Sequence, residues 1–217
     1  MDHFTILHGK KDHAILLNCD TLDFEYVPLD LGDFEIVLID SKVSHNLINT
    51  GYNDRVAECK RALEIIQMEY PKVEHLSMVD DQILNDTRAD MSSLIFRRAK
   101  FIKEENERVH QFRNLLKIRN LIAVGSLLYA SHEGLRNNYE VSCVEMDLLV
   151  ELARSSEHIL GARMTGGGFG GCTINLIRKE QAKEVSNELL SAYCKKVSFD
   201  GKVYFVDITN GVEVFYT

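Results

Sequence analysis

Five glycines stand within the six residues Gly166–Gly171, in the stretch ARMTGGGFGGC. Glycine reaches positive φ without strain and leaves room for another backbone or a ligand to come close. Exposed backbone N–H groups on such a loop suit an anion, phosphate first. Gly166, Gly168 and Gly171 also satisfy the G-x-G-x-x-G spacing of dinucleotide sites. That spacing works only where a strand leads into the glycines and a helix leaves them; here the order reads helix, glycines, then the strand CTINLI. A P-loop is excluded because no Lys followed by Ser or Thr comes after the glycines. Two readings stay open: a loop that meets a ligand, favoured by the glycine density, and a tight loop packed on a neighbouring segment.

Other residues able to do chemistry are few. Asp2 is a carboxylate at the start of the chain, where acids are ordinarily solvated. Tyr52 opens a helical pattern, where a partly buried phenol is the ordinary reading. Asn106, Glu107, Arg108 and the pair His132–Glu133 lie on predicted helices and read as structural. The five cysteines are scattered, with no C-x-x-C pair. No His, Cys or carboxylate set has metal-ligand spacing, so no metal site is expected from these residues.

The elements that must position these groups begin with strands, FTILH and HAILLNC around the turn GKKD, followed by FEYV and FEIVLID. Val56, Cys59, Leu63, Ile66 and Tyr70 then recur at spacings of three and four, predicting one core-facing side of a helix that Pro71 closes. Ser77 to Ser93 reads as a connection with at most a short helix. Helix resumes from about Leu94 to Leu135, broken near Arg119 and Asn120, with KEENER outward and Val109, Phe112 and Leu116 toward the core. Further helices are predicted over Val144–Leu160 and Glu180–Lys195, with strands at CTINLI, KVYFVDI and EVFYT. Strands and helices without regular βαβ alternation predict an α+β fold, an antiparallel sheet packed against helices.

The totals bound the function. The 217 residues are 45% hydrophobic and 27% charged, an ordinary globular composition, and the formal charge of -8 argues against a nucleic-acid backbone binder. No signal-peptide pattern opens the chain and no apolar run approaches the ~20 residues of a membrane helix. A cytoplasmic protein without nucleic-acid or membrane partners is expected.

The stretch LGARMTGGGFGGCTINLI resembles the third motif of the GHMP small-molecule kinases, in the extended form found in galactokinases. The likeness continues in MDHF, similar to a Met-Asp-Gln-Phe segment, in KKDHAILLNCDTLDFEYVPL, and in GYNDRVAECKRAL, similar to a Tyr-containing sugar-site helix. RRAKFIKEENERV and SHEGLRNNYEVSCVEMDLLV are also galactokinase-like, so the resemblance covers nearly the whole chain. It implies a GHMP-kinase-like fold lacking most of the amino-terminal domain, with remnant strands over 1–40 and the carboxy-terminal domain over 41–217.

The resemblance also implies roles. Asp2 aligns with the catalytic aspartate, which would accept or polarise the proton of the sugar's anomeric hydroxyl; His3 stands beside it in place of Gln. Tyr52 aligns with a galactose contact. Gly166, Gly167, Gly168, Phe169, Gly170 and Gly171 would pack beside the nucleotide phosphate loop and help shape the active site, Gly168 standing where many relatives have Ala. The implied activity is galactose phosphorylation by ATP with Mg²⁺, whose ligands are mostly absent from this chain. The 217 residues alone are therefore expected to be inactive, a separate amino-terminal galactokinase portion being a possible partner. The alternatives are a catalytically silent galactokinase-like binding or regulatory module and an N-acetylgalactosamine kinase.

Overall fold

The computed structural model describes residues 2–44, 48–198 and 200–213. A short helix, α1 (Asp2–His8), precedes the hairpin β1 (His13–Leu17) and β2 (Phe24–Pro28); then come β3 (Phe34–Ser44), α2 (Ile48–Glu69), α3 (Asp81–Asp86), α4 (Ser93–Lys117) and α5 (Leu121–Gly134). One π turn, Leu135–Tyr139, leads to α6 (Val144–Arg154), β4 (Ile159–Met164), β5 (Gly170–Arg178), α7 (Ala182–Cys194) and β6 (Lys202–Phe205).

The main sheet has the order β4-β5-β3-β6 and every pairing in it is antiparallel, as the α+β reading expects. Strand alternation sends successive side chains to opposite faces. Val37, Ile39 and Ile177 meet Leu149, Leu189 and Tyr193 of α6 and α7 on one face. Leu176 turns the other way, to Leu116 of α4 and Val124 of α5. The carboxy-terminal end of β3 is bulged between Asp40 and Ser44, with Lys42 left-handed at φ 58°. The division expected at residue 40 falls inside this strand.

Several predicted elements need correction. FTILH is helical: Phe4 stacks on His8 one turn later at 4.4 Å and edges Phe24 at 5.2 Å, so packing on the hairpin overrides strand-like composition. The hairpin is instead formed by β1 and β2. The helix expected to reach Leu160 stops at Arg154, where the Ser155 hydroxyl donates to the Leu152 carbonyl at 2.8 Å, and the next six-residue strand, β4, pairs with β5. On α2 the buried stripe is Ala62, Ile65 and Ile66, while Val56 is exposed.

On α4, Leu116 is core but Val109 is exposed, and KEENER does not lie wholly outward. Lys103 is largely buried and holds Asp81 at 2.6 Å, and Glu105 turns inward to Ser131 and Arg163. Both follow from α4 being packed on several sides, against α2, α3 and α5. The break at Arg119–Asn120 is as expected, with Arg119 left-handed at φ 56° and the Asn120 side chain capping Ala123 N–H at 3.2 Å. The 77–93 connection contains α3 and buries Val79, Leu84 and Met91. Of the EVFYT strand, residues 214–217 lie outside the described residues.

Candidate functional site

The glycine loop joins two antiparallel strands, β4 and β5, rather than a helix and a strand. That corrects the expected order and still excludes a dinucleotide fingerprint, since no helix follows the glycines. The loop is closed at its base by Thr165 N–H donating to the Cys172 carbonyl at 3.0 Å.

Its glycines divide by surroundings. A Cβ on Gly168 (φ 93°) would stand 2.3 Å from the Val141 carbonyl oxygen, and one on Gly170 (φ 137°) 2.3 Å from that of Val43. Those two positions are packed. Added Cβ atoms on Gly166 (φ 78°), Gly167 and Gly171 (φ 88°) would meet nothing within 4 Å. Both sequence readings of the loop therefore hold at once: one side seats on neighbouring backbone and the other is an open, side-chain-free surface that a ligand's phosphate could approach.

Phe169 links this loop to Tyr52. It adopts φ 61°, and its N–H donates to the Val141 carbonyl at 2.7 Å. Its ring lies over Gly51, where an added Cβ would be 2.5 Å from it. Tyr52, the next residue of α2, is 55% exposed rather than consumed in the core. Nearby, burial and then the Cys59 thiol push the Tyr139 phenol well above its usual range, with Tyr52 adding to the effect.

Asp2 is on different supports. It is the first residue of α1, and its side chain lies outside the described residues. α1 rests on the hairpin, through the Tyr26 hydroxyl donating to the His8 carbonyl at 2.8 Å, and on the later Val212 N–H, which donates to Ile6 O at 2.9 Å.

Three groups that hold the loop or lie close behind it were not singled out from sequence. Ser41, fully buried, donates from Oγ to the Gly171 carbonyl at 2.8 Å, and its own carbonyl accepts from Tyr193 at 2.9 Å. Val141 supplies the carbonyl under Phe169. Arg98 is buried among carboxylates. No local pattern marked any of the three, because each acts through contacts some thirty to more than a hundred residues away in sequence.

Of the polar residues left as structural, Glu107, Arg108, His132 and Glu133 face other charged side chains. His132 is almost fully buried; its Nδ1 accepts the Met164 N–H at 3.3 Å, which leaves the proton on Nε2, 3.2 Å from Asp147. Glu133 pairs with Arg154 at 3.0 Å and Glu107 with Lys103 at 3.1 Å. Among the described residues no three His, Cys, Asp or Glu gather as a metal site. The described side chains do not by themselves fit a Mg²⁺. A cleft of about 750 Å³ opens elsewhere, between the β1–β2 turn and α4, lined by Asp20, His75, Asn106 and His110 and by neither Tyr52 nor a loop glycine.

Residues 111–196, which include the glycine loop, match the family described as GHMP kinases C terminal. Galactokinase of Thermotoga maritima is 40% identical over 213 residues, 98% of this chain and 58% of that protein. Galactokinase of Staphylococcus carnosus is 38% identical over 214 residues, 98% of this chain and 55% of that protein. The crystal structure of Lactococcus lactis galactokinase complexed with galactose superposes with a TM-score of 0.90 at 32% identity, over 96% of this chain and 54% of that one. L. major mevalonate kinase in complex with R-mevalonate, at 18% identity and a TM-score of 0.54, shares the fold alone. The chain spans somewhat over half the length of the curated relatives it matches. Residues 111–196 thus form a carboxy-terminal GHMP kinase domain, and nearly the whole chain is similar to the carboxy-terminal part of galactokinases.

Proposed function

We propose that the chain is part of an ATP-dependent galactokinase, which moves the γ-phosphoryl group of ATP to the anomeric hydroxyl of galactose. The observation that carries the reading is the TM-score of 0.90, at 32% identity, to a galactokinase crystallised with galactose. The adjacency of Tyr52 and the glycine loop supports it, since a sugar-contacting phenol beside a loop with open backbone is what transfer between a sugar and a nucleotide requires.

In this reading Asp2 accepts or polarises the sugar's proton as its oxygen attacks phosphorus. The Tyr52 hydroxyl bonds a sugar hydroxyl while its ring covers the sugar's apolar face. Gly166, Gly167 and Gly171 leave the phosphates room to approach backbone. Charge neutralisation on the phosphates would come from a Mg²⁺ bound with ATP, which the described side chains of this chain do not hold by themselves.

The test is a product assay with galactose and Mg-ATP, run on a polypeptide of these 217 residues with and without one covering the remainder of the relatives' length. Phosphorylation is expected only in the mixture, lost with Asp2→Ala, and with galactose preferred over N-acetylgalactosamine. Tyr52→Phe is expected to raise KM for galactose, corresponding to about 0.5–1.5 kcal/mol for one lost neutral hydrogen bond, and to leave KM for ATP nearly unchanged. Binding of sugar or nucleotide without turnover in every combination would replace the enzyme by a silent binding module.

A further inference from the structure

Arg98 is fully buried, yet it contacts no residue for which sequence suggested a role. It stands on α4, and its guanidinium reaches three acceptors on other segments. Nε donates to Glu58 Oε2 and Nη2 to Glu140 Oε2, each at 2.6 Å, and Nη1 donates to the Asn138 carbonyl. Glu58 lies on α2, the helix that carries Tyr52. Glu140, left-handed at φ 56°, immediately precedes Val141, whose carbonyl holds the Phe169 N–H at 2.7 Å.

Phe169 covers Gly51 on α2, so the contacts close a circuit. It runs from the start of α2 to Phe169, to Val141 and Glu140, through Arg98 to Glu58, and back along α2. A planar guanidinium suits the junction because its donors leave in fixed directions, which an ammonium cannot imitate. Arg55 and Arg97 join the cluster, at 2.5 Å from Glu58 and 3.1 Å from Glu140. On the far side of Val141 the chain is pinned again, by the Ser142 hydroxyl donating to Asp147 at 2.6 Å.

We propose that Arg98 is a positioning residue that fixes the separation between Tyr52 and the glycine loop, so that the two halves of the site act as one unit. It rests on the galactokinase reading for what each half binds, galactose and ATP, but not for the circuit itself. Loosening Arg98 frees Glu140, then Val141, and through Val141 the hydrogen bond that seats Phe169.

The test is amide hydrogen exchange on the full chain, followed by NMR, with Arg98→Lys, which keeps the charge but loses the fork, and Glu140→Gln, which keeps the Arg98–Glu58 pair. In both, the Phe169 amide is expected to exchange about tenfold faster, while the β3 amides of Val37 and Ile39 change less than about twofold. Acceleration of all these amides in parallel, or none at Phe169, overturns the proposal. In the galactose assay, Arg98→Lys is expected to raise KM for galactose and for ATP together, by about threefold or more with kcat less affected, where Tyr52→Phe raises only the first. Unchanged KM values for both substrates also overturn it. Absence of phosphorylation by the wild-type mixture overturns the galactokinase reading instead, and the exchange result then judges the circuit alone.

Discussion

Gly167 and Gly168 are neighbours with opposite duties. Gly168 is left-handed at φ 93° and has the Val141 carbonyl 2.3 Å from where a Cβ would be, whereas Gly167 has nothing within 4 Å. Gly168→Ala is therefore expected to destabilise the chain by about 1–3 kcal/mol through forced overpacking, read as a lower urea midpoint. Gly167→Ala is expected to stay within about 0.5 kcal/mol of wild type and to weaken nucleotide binding instead, read by titration with ATP. Sequence grouped Gly168 with the other five loop residues and noted only that many relatives have Ala there. The structure gives it a packing role, because the loop's neighbour, Val141, is close only in the folded chain.

At the level of elements, α5 and β4 approach backbone to backbone. A Cβ on Gly125 of α5 would lie 2.2 Å from the Leu160 carbonyl oxygen, and one on Gly161 of β4 would lie 2.3 Å from the Gly125 carbonyl oxygen. Gly125→Ala must push the helix off the sheet, and a loss of about 1–3 kcal/mol is expected in thermal or urea unfolding. Ser126→Ala, one residue on and exposed, is the control and is expected to be near neutral. The α4–α5 break was legible because Asn120 caps the new helix locally. α1 and β4 were not. Their short sequences fit either state, and only the hairpin under Phe4 and the neighbouring strand β5 decide between them.

Across the whole molecule, carboxylates bind the elements around the site, and this sets its response to acid. Burial alone would raise the Asp147 carboxyl, but His132, Ser142 and Arg136 together outweigh it and hold it below its usual value. The same opposition, with Arg98 and Arg55 winning over burial, holds Glu58 low. For Glu140 the Arg98 hydrogen bond is the largest influence and acts in the lowering direction. A carboxylate depressed in the folded state contributes stability that is full above its unfolded value and is lost as pH falls through the folded one. Stability is thus expected to be level above about pH 5 and to decline as pH drops below about 4, where unfolded carboxylates begin to take up protons that the folded ones refuse. Asp147→Asn is expected to be less stable at pH 7 and to lose less on acidification, measured as urea midpoints across that range.

By itself the sequence determined the α+β class, the helices from α2 onward to within a turn or two, the permissive loop at Gly166–Gly171 and the resemblance on which the roles proposed for Asp2 and Tyr52 rest. These depend on local periodicity, glycine density and motif order, all carried by neighbouring residues. Only the tertiary structure decided that the loop is a hairpin tip, which of its glycines are packed, and that Phe169 seats it on the helix of Tyr52. Only it joined Arg98 to Glu58 and Glu140, 40 and 42 residues away. A buried guanidinium must find its acceptors wherever the fold brings carboxylates together, and no spacing along the chain encodes which ones those are.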